Sequence, residues 1–279
     1  MDARTFLGLE ATDDPLHWRL PITRGLSTPG DFLFGGCGLA AGIEALELSS
    51  GRPCVWATAQ YLSFAPTGST LDIEVVLPAA GHKVTQGRAI CRRNGVEILT
   101  INGALGSRDI DIEGEWAVRP DVPPPDQTPP RSMMPRAMRN VGMDISGTIM
   151  DRIDVRLADG RQWEDLDGTP SPDGRSAMWA RLPEVLEPSA AALAVLGDFV
   201  PNGVGQALGL PGGGTSLDNT LRMVRSVPTD WVLIDMRIQA VHRGFGHGVA
   251  HLWAEDGTLL ATASQSVVVR LWPGTPPAS

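Results

Sequence analysis

Gln265 is the residue whose type and place most suggest chemistry, because a nearly equivalent stretch earlier in the chain lacks it. Arg93-Asn94-Gly95-Val96-Glu97-Ile98-Leu99-Thr100-Ile101-Asn102-Gly103 reads position by position onto Glu255-Asp256-Gly257-Thr258-Leu259-Leu260-Ala261-Thr262-Ala263-Ser264-Gln265, about 162 residues further on. Each is a turn followed by the same kind of strand. Where the first copy ends in Gly103, the second presents an amide with two donors and an acceptor. That asymmetry points to a functional second half. His242, His247 and His251 also draw the eye, and on an extended strand His247 and His251 would share a face. Two ligands rarely hold a metal, and no carboxylate or thiolate stands at matching spacing, so we expect no metal site and read them as surface or sheet-packing residues. Gly244, Gly246 and Gly248 alternate, but without the strand-to-helix setting of a phosphate loop they read as a bulged strand.

The elements that must position such residues follow from pattern. Phe34-Gly35-Gly36 opens a helix in which Leu39, Ile43 and Leu46 recur at helical spacing until Ser49-Ser50-Gly51 stops it. Strands are expected over Val55 to Ser63, Leu71 to Leu77, Val84 to Arg92 and Val96 to Leu105, with Asn94-Gly95 as a hairpin turn. The second half repeats the order: a helix over Ala190 to Val200, then strands over Leu217 to Val227, Val232 to Gln239, Gly246 to Ala254 and Leu259 to Leu271, with Asp256-Gly257 restating the turn. Between the copies, Pro120 to Pro130 is a stiff polar tract that cannot enter a sheet interior. The expected division is 1–113, a linker over 114–140, and 141–279, in an α+β plan of two helix-on-antiparallel-sheet repeats. Each repeat alone leaves strand edges unpaired, so the two sheets should join edge to edge.

Composition sets limits. At 279 residues the chain suits two domains of ordinary size. A net charge of −9 without any basic run argues against nucleic-acid and membrane-surface partners. No apolar stretch is long enough to span a bilayer and the acidic start does not look like a signal peptide, so a cytoplasmic protein is expected. Cys37, Cys54 and Cys91 read as reduced thiols filling apolar space.

With these residues in view, the chain resembles the acyl-CoA thioesterase II family, whose members have a tandem (double) hot-dog fold. The likeness rests on Phe34-Gly35-Gly36 at the helix start, Tyr61-Leu62-Ser63-Phe64-Ala65-Pro66 at a strand end, Ser216-Leu217-Asp218, and Gln265-Ser266-Val267-Val268-Val269-Arg270. It implies a pseudo-dimer with a continuous sheet and no cofactor. It also implies hydrolysis of acyl-CoA by a water that Asp218, as base, and Gln265 hold beside the thioester, with no covalent nucleophile. The third member of such a site, a Thr or Ser on the strand from Trp231, is absent, and Gln239 stands near its place. Asn219 replaces a frequent His, and Cys37 a frequent Gln. Backbone N–H groups of Gly203-Val204-Gly205 could take the oxyanion. Arg222, Arg225 and Arg243 are candidates for the CoA phosphates, and Gly36 and Tyr61 for substrate contact.

Three other readings stand beside this one, two non-enzymatic and one enzymatic. The missing hydroxyl suggests a non-catalytic acyl-CoA or acyl-chain binding protein, or a purely structural pseudo-dimer. Asp198 invites comparison with the hydratase version of the hot-dog fold, but the residue five positions on, where that reaction needs a His, is Gly203. Asp198 then reads as a helix C-terminal residue. Exposed sheet ends suggest a homo-oligomer.

Overall fold

The computed structural model describes residues 1–132, 142–185 and 188–272; the expected linker beyond 132 and the chain after 272 lie outside the described residues. Four helices are described: α1 (Ala3–Leu7), α2 (Gly35–Ser50), α3 (Ala190–Leu196) and α4 (Val200–Leu208). The strands are β1 (Glu10–Ala11), β2 (His17–Pro21), β3 (Cys54–Tyr61), β4 (Thr70–Ala80), β5 (Val84–Arg93), β6 (Val96–Gly106), β7 (Asp154–Asp159), β8 (Arg175–Arg181), β9 (Gly212–Ser216), β10 (Asp218–Met223), β11 (Val232–His242), β12 (Phe245–Ala254) and β13 (Leu259–Leu271).

All thirteen form one antiparallel sheet, ordered β1-β2-β4-β5-β6-β3-β10-β13-β12-β11-β8-β7, with β9 on the far part of β13. The order is mirrored about the central β3·β10 pair. There Thr58 lies opposite Thr220, their hydroxyls 2.7 Å apart and their positions 162 residues apart. The same displacement carries β4 onto β11 end for end.

Period-two patterning explains the strands. In β4, Leu71, Ile73 and Val75 face the core while Asp72 is exposed. The β5–β6 turn has Asn94 at φ 51° and Gly95 at φ 79°, the geometry of a type I′ hairpin, and Arg243-Gly244 between β11 and β12 repeats it. The Asp256-Gly257 turn departs from expectation: four residues separate β12 from β13 and only Gly257 has positive φ, because Asp256 Oδ1 instead accepts from the N–H of Thr258 at 2.9 Å.

The helices pack on one face of the sheet. α2 is buried nearly all round, as its small and apolar residues require, and ends at Gly51 in the left-handed conformation. The opposite face of the second half carries a smaller cluster of Trp179, Trp231, Leu233 and Trp253, with Ala117 and Val122 laid over it. Trp179 Nε1–H donates to the carbonyl of Pro123 at 2.8 Å, and the Arg131 guanidinium lies 4.3 Å from the Trp163 ring centroid. The described part of the proline-rich tract is therefore a strap across a sheet face as well as a spacer, and its end pairs with the edge strand β7, where the N–H of Leu157 donates to the Pro129 carbonyl at 3.1 Å, a role that needs no N–H from proline.

Candidate active site

α3 and α4 would be one helix if Gly197-Asp198-Phe199 did not interrupt them. The break turns the Asp198 side chain, 5% exposed, toward the start of α2. Its Oδ2 accepts from the N–H of Gly36 at 2.5 Å, and its Oδ1 accepts from Gln265 Nε2. Both partners are donors, and the α2 N-terminus adds the positive end of a helix dipole. Gly36 is small of necessity: a Cβ there would lie 2.9 Å from Asp198 Cβ and 3.0 Å from the carbonyl oxygen of Ala194.

Gln265, on β13 and 3% exposed, has each polar atom committed. Its Oε1 accepts from the N–H of Val200 at 3.2 Å, and its Nε2 also donates to Ser216 Oγ at 3.1 Å. Because the Val200 N–H can only donate, the carbonyl must face α4, which leaves the NH2 for Asp198 and Ser216. Burial pushes the Asp198 carboxyl up to about 7, against the opposing pull of the bonds from Gln265 and Gly36.

Asp198 and Ser216 open onto a cavity of about 560 Å³ whose wall includes Phe32, Phe34, Tyr61, Leu99 and Phe199. Tyr61 reaches it from the end of β3. Burial first, and the Asp198 charge second, hold its phenol pKa well above the usual value. Arg270 also borders the cavity.

Several sequence expectations are corrected. Asp218 does not meet Gln265: it begins β10, and its Oδ1 accepts the backbone N–H of Ser266 at 2.8 Å, a strand-end role. The carboxylate at Gln265 belongs to Asp198. Gln239 is the unpaired residue at a bulge of β11, exposed and away from the cavity wall. The hydroxyl that meets Gln265 is that of Ser216, ahead of β10. Gly203, Val204 and Gly205 lie inside α4, where Gly203 packs on Ile238 and Gly205 on the Gly212 backbone, so they offer no oxyanion donors. Arg222, Arg225 and Arg243 are exposed and none borders the cavity; Arg225 pairs with Glu113 and Arg243 occupies a hairpin turn. Gly36 and Tyr61 are both at the site. Gly246 and Gly248 do not bulge; a Cβ on Gly248 would lie 2.7 Å from Val200 Cγ1, so their smallness lets α4 lie close on the sheet. Among the described residues no group of three or more His, Cys, Asp or Glu is arranged to hold a metal.

Residues 120–269 match the family described as the acyl-CoA thioesterase C-terminal domain. No curated protein sequence matches significantly. Among solved structures, a proposed thioesterase from Novosphingobium aromaticivorans is 32% identical, with 94% of this chain and 98% of that one covered at a TM-score of 0.81. A hot-dog protein of unknown function from Alicyclobacillus acidocaldarius is 20% identical over 97% and 98% of the chains at 0.80. An acyl-CoA thioesterase II from Mycobacterium marinum is 19% identical over 99% and 100% at 0.72. With more than half its length in the family match and a relative this similar over nearly all of it, the chain belongs to the acyl-CoA thioesterase family and has the hot-dog fold of its thioesterase II members.

Proposed function

We propose that this enzyme hydrolyses acyl-CoA thioesters by direct attack of water, with Asp198 as the base. The observation that carries the reading is a buried carboxyl poised near neutrality at the wall of an apolar cavity, held there by Gln265 and the start of α2. A general base works best when its pKa lies near the working pH. As the water oxygen bonds to the thioester carbon, one water proton passes to Asp198; the C–S bond then breaks, and the proton goes on to the departing CoA thiolate. The products are a free acid and CoA.

Gln265 acts through the carboxylate, since Val200, Asp198 and Ser216 already saturate its amide. It is a positioning residue. Ser216 supplies the hydroxyl whose absence motivated a non-catalytic reading. The aromatic and aliphatic wall would receive the acyl group, and Arg270 at its border would meet a CoA phosphate. The mirrored strand order and the displacement of 162 residues support two hot-dog repeats forming a pseudo-dimer, bounded near 113 and 141.

Release of free thiol from a panel of acyl-CoAs tests this. Asp198→Asn puts an NH2 group against a donor whichever way it turns, and should lower kcat by roughly 1,000-fold or more, while Asp218→Asn stays within a few-fold of wild type. Arg270→Ala should raise KM for acyl-CoA and leave kcat nearly unchanged. An Asp198→Asn variant that turns over like wild type would sink the assignment.

A further inference from the structure

The site contains two buried polar side chains that the mechanism above does not use. The Tyr61 hydroxyl and both polar atoms of the Asn219 amide are buried and make no hydrogen bond of ordinary geometry among the described residues. They come from opposite halves. Asn219 lies opposite Ala59 across the β3·β10 pair, which sets it diagonally beside Tyr61 on the same sheet face. An Asn 1% exposed with neither amide atom satisfied is costly, which favours a hydrogen bond with its diagonal neighbour, the Tyr61 hydroxyl.

Gly35 brings the Tyr61 hydroxyl to the same space as the base. A Cβ on Gly35 would lie 2.9 Å from Asp198 Oδ2 and 3.1 Å from the Tyr61 hydroxyl oxygen. Asp198 Oδ2 and the Tyr61 hydroxyl oxygen thus face one space at the cavity wall, left open because residue 35 has no side chain. Any other residue at 35 would fill it.

Taking Asp198 as the base, we propose that the reacting water sits in the cavity in front of Gly35, between the two oxygens, with one proton toward Asp198 Oδ2 and the other toward the Tyr61 oxygen, and that the Tyr61 O–H in turn donates to Asn219 Oδ1. Tyr61 is then a catalytic residue that holds the nucleophile, and Asn219 a positioning residue that turns the phenol's lone pair toward the water. Two acceptors on the water's protons leave its oxygen lone pair free to face the thioester carbon. No positive φ demands a glycine at 35, so what its smallness provides is the open space.

Steady-state thiol release from one acyl-CoA that the wild type cleaves well, with thermal unfolding alongside, tests the proposal. Tyr61→Phe removes only the hydroxyl and should lower kcat roughly 10- to 100-fold with KM within about twofold. Asn219→Leu should lower kcat less and in the same direction, while Gly35→Ala, which crowds Asp198 Oδ2 and the Tyr61 hydroxyl and narrows the space between them, should cost at least as much as Tyr61→Phe. Wild-type kcat in a folded Tyr61→Phe variant, or a raised KM at unchanged kcat, would overturn the proposal by making Tyr61 a wall of the acyl pocket. Asp198→Asn in the same assay separates the two claims: its collapse beside an active Tyr61→Phe would leave the base intact and remove the tyrosine. A wild type that cleaves no acyl-CoA would overturn both.

Discussion

A carboxyl that titrates near pH 7 makes both rate and stability depend on pH, and the signs differ. Asp198 must be ionised to take the water proton, so kcat should fall about tenfold per pH unit below about 7 and level off above it. Gln265→Ala removes a bond that favours the charged form, so the acid limb should move to higher pH, a shift that a merely structural role would not produce. For stability, the folded pKa lies above the unfolded value. The contribution is therefore full below about pH 4 and is lost as pH rises through about 7. Between pH 5 and 8, Asp198→Ala should escape a decline on the order of 2 kcal/mol that wild type shows in urea unfolding. Glu44, which burial also pushes up to about 7, is common to both proteins and cancels in the difference. Parallel pH profiles would mean that Asp198 is ionised throughout. Gln265 was legible in the sequence because its repeat partner is Gly103. Asp198 was not, because a lone Asp at a helix end has a ready capping explanation, whereas Asp218 sat in a recognised Ser-Leu-Asp run. The usable signal was isolation: from Pro188 to Leu217, Asp198 is the one ionisable residue in an otherwise apolar and glycine-rich stretch. A charge placed there must be satisfied inside.

The elements divide along the same line between what period shows and what close packing decides. Strands with alternating residues, such as β4, and the Asn94-Gly95 hairpin are local in origin and could be read directly. The helix expected over Ala190 to Val200 is in fact two, α3 and α4, because in an all-apolar run no polar face marks where a helix turns away. β9, made of Gly212 to Ser216, carries almost no strand signal and forms because β13 extends far enough to pair with it. The glycines of β12 likewise answer to α4. A Cβ on Gly248 would lie 2.7 Å from both Val200 Cγ1 and Ile238 Cδ1, so Gly248→Val should push α4 off the sheet at a cost of about 1–3 kcal/mol. Because the Val200 N–H fixes the Gln265 carbonyl, kcat should fall with stability, measured as urea midpoint and turnover on the same preparation. Lost stability with full turnover would show that the amide does not depend on where α4 lies.

Across the whole molecule, the site belongs to neither half. Gly36 and Tyr61 come from the first, Asp198, Ser216 and Gln265 from the second, and the β3·β10 pair joins them. If the halves are repeats displaced by 162 residues, as Thr58 and Thr220 are, the mirror image of this site falls on Gly36, Cys54 and Gly103 in place of Asp198, Ser216 and Gln265. It has neither the carboxyl nor the amide. Nor could the amide return by one substitution, since a Cβ on Gly103 would lie 2.9 Å from the Trp56 carbonyl oxygen. Duplication within one chain would permit this: a homodimer must keep both sites alike, while a fused pair can keep one and let the other fill with packing residues. The consequence can be measured by producing residues 1–113 and 114–279 as separate polypeptides. The second piece carries the base, the hydroxyl and the amide, yet alone it lacks the Gly36 N–H that holds Asp198 Oδ2, and it exposes the β10 edge. Neither piece should release thiol from acyl-CoA by itself, and coexpression should restore turnover by re-forming the central strand pair. Turnover by the second piece alone would mean that the start of α2 is dispensable, and would leave the pairing of the halves a matter of stability only.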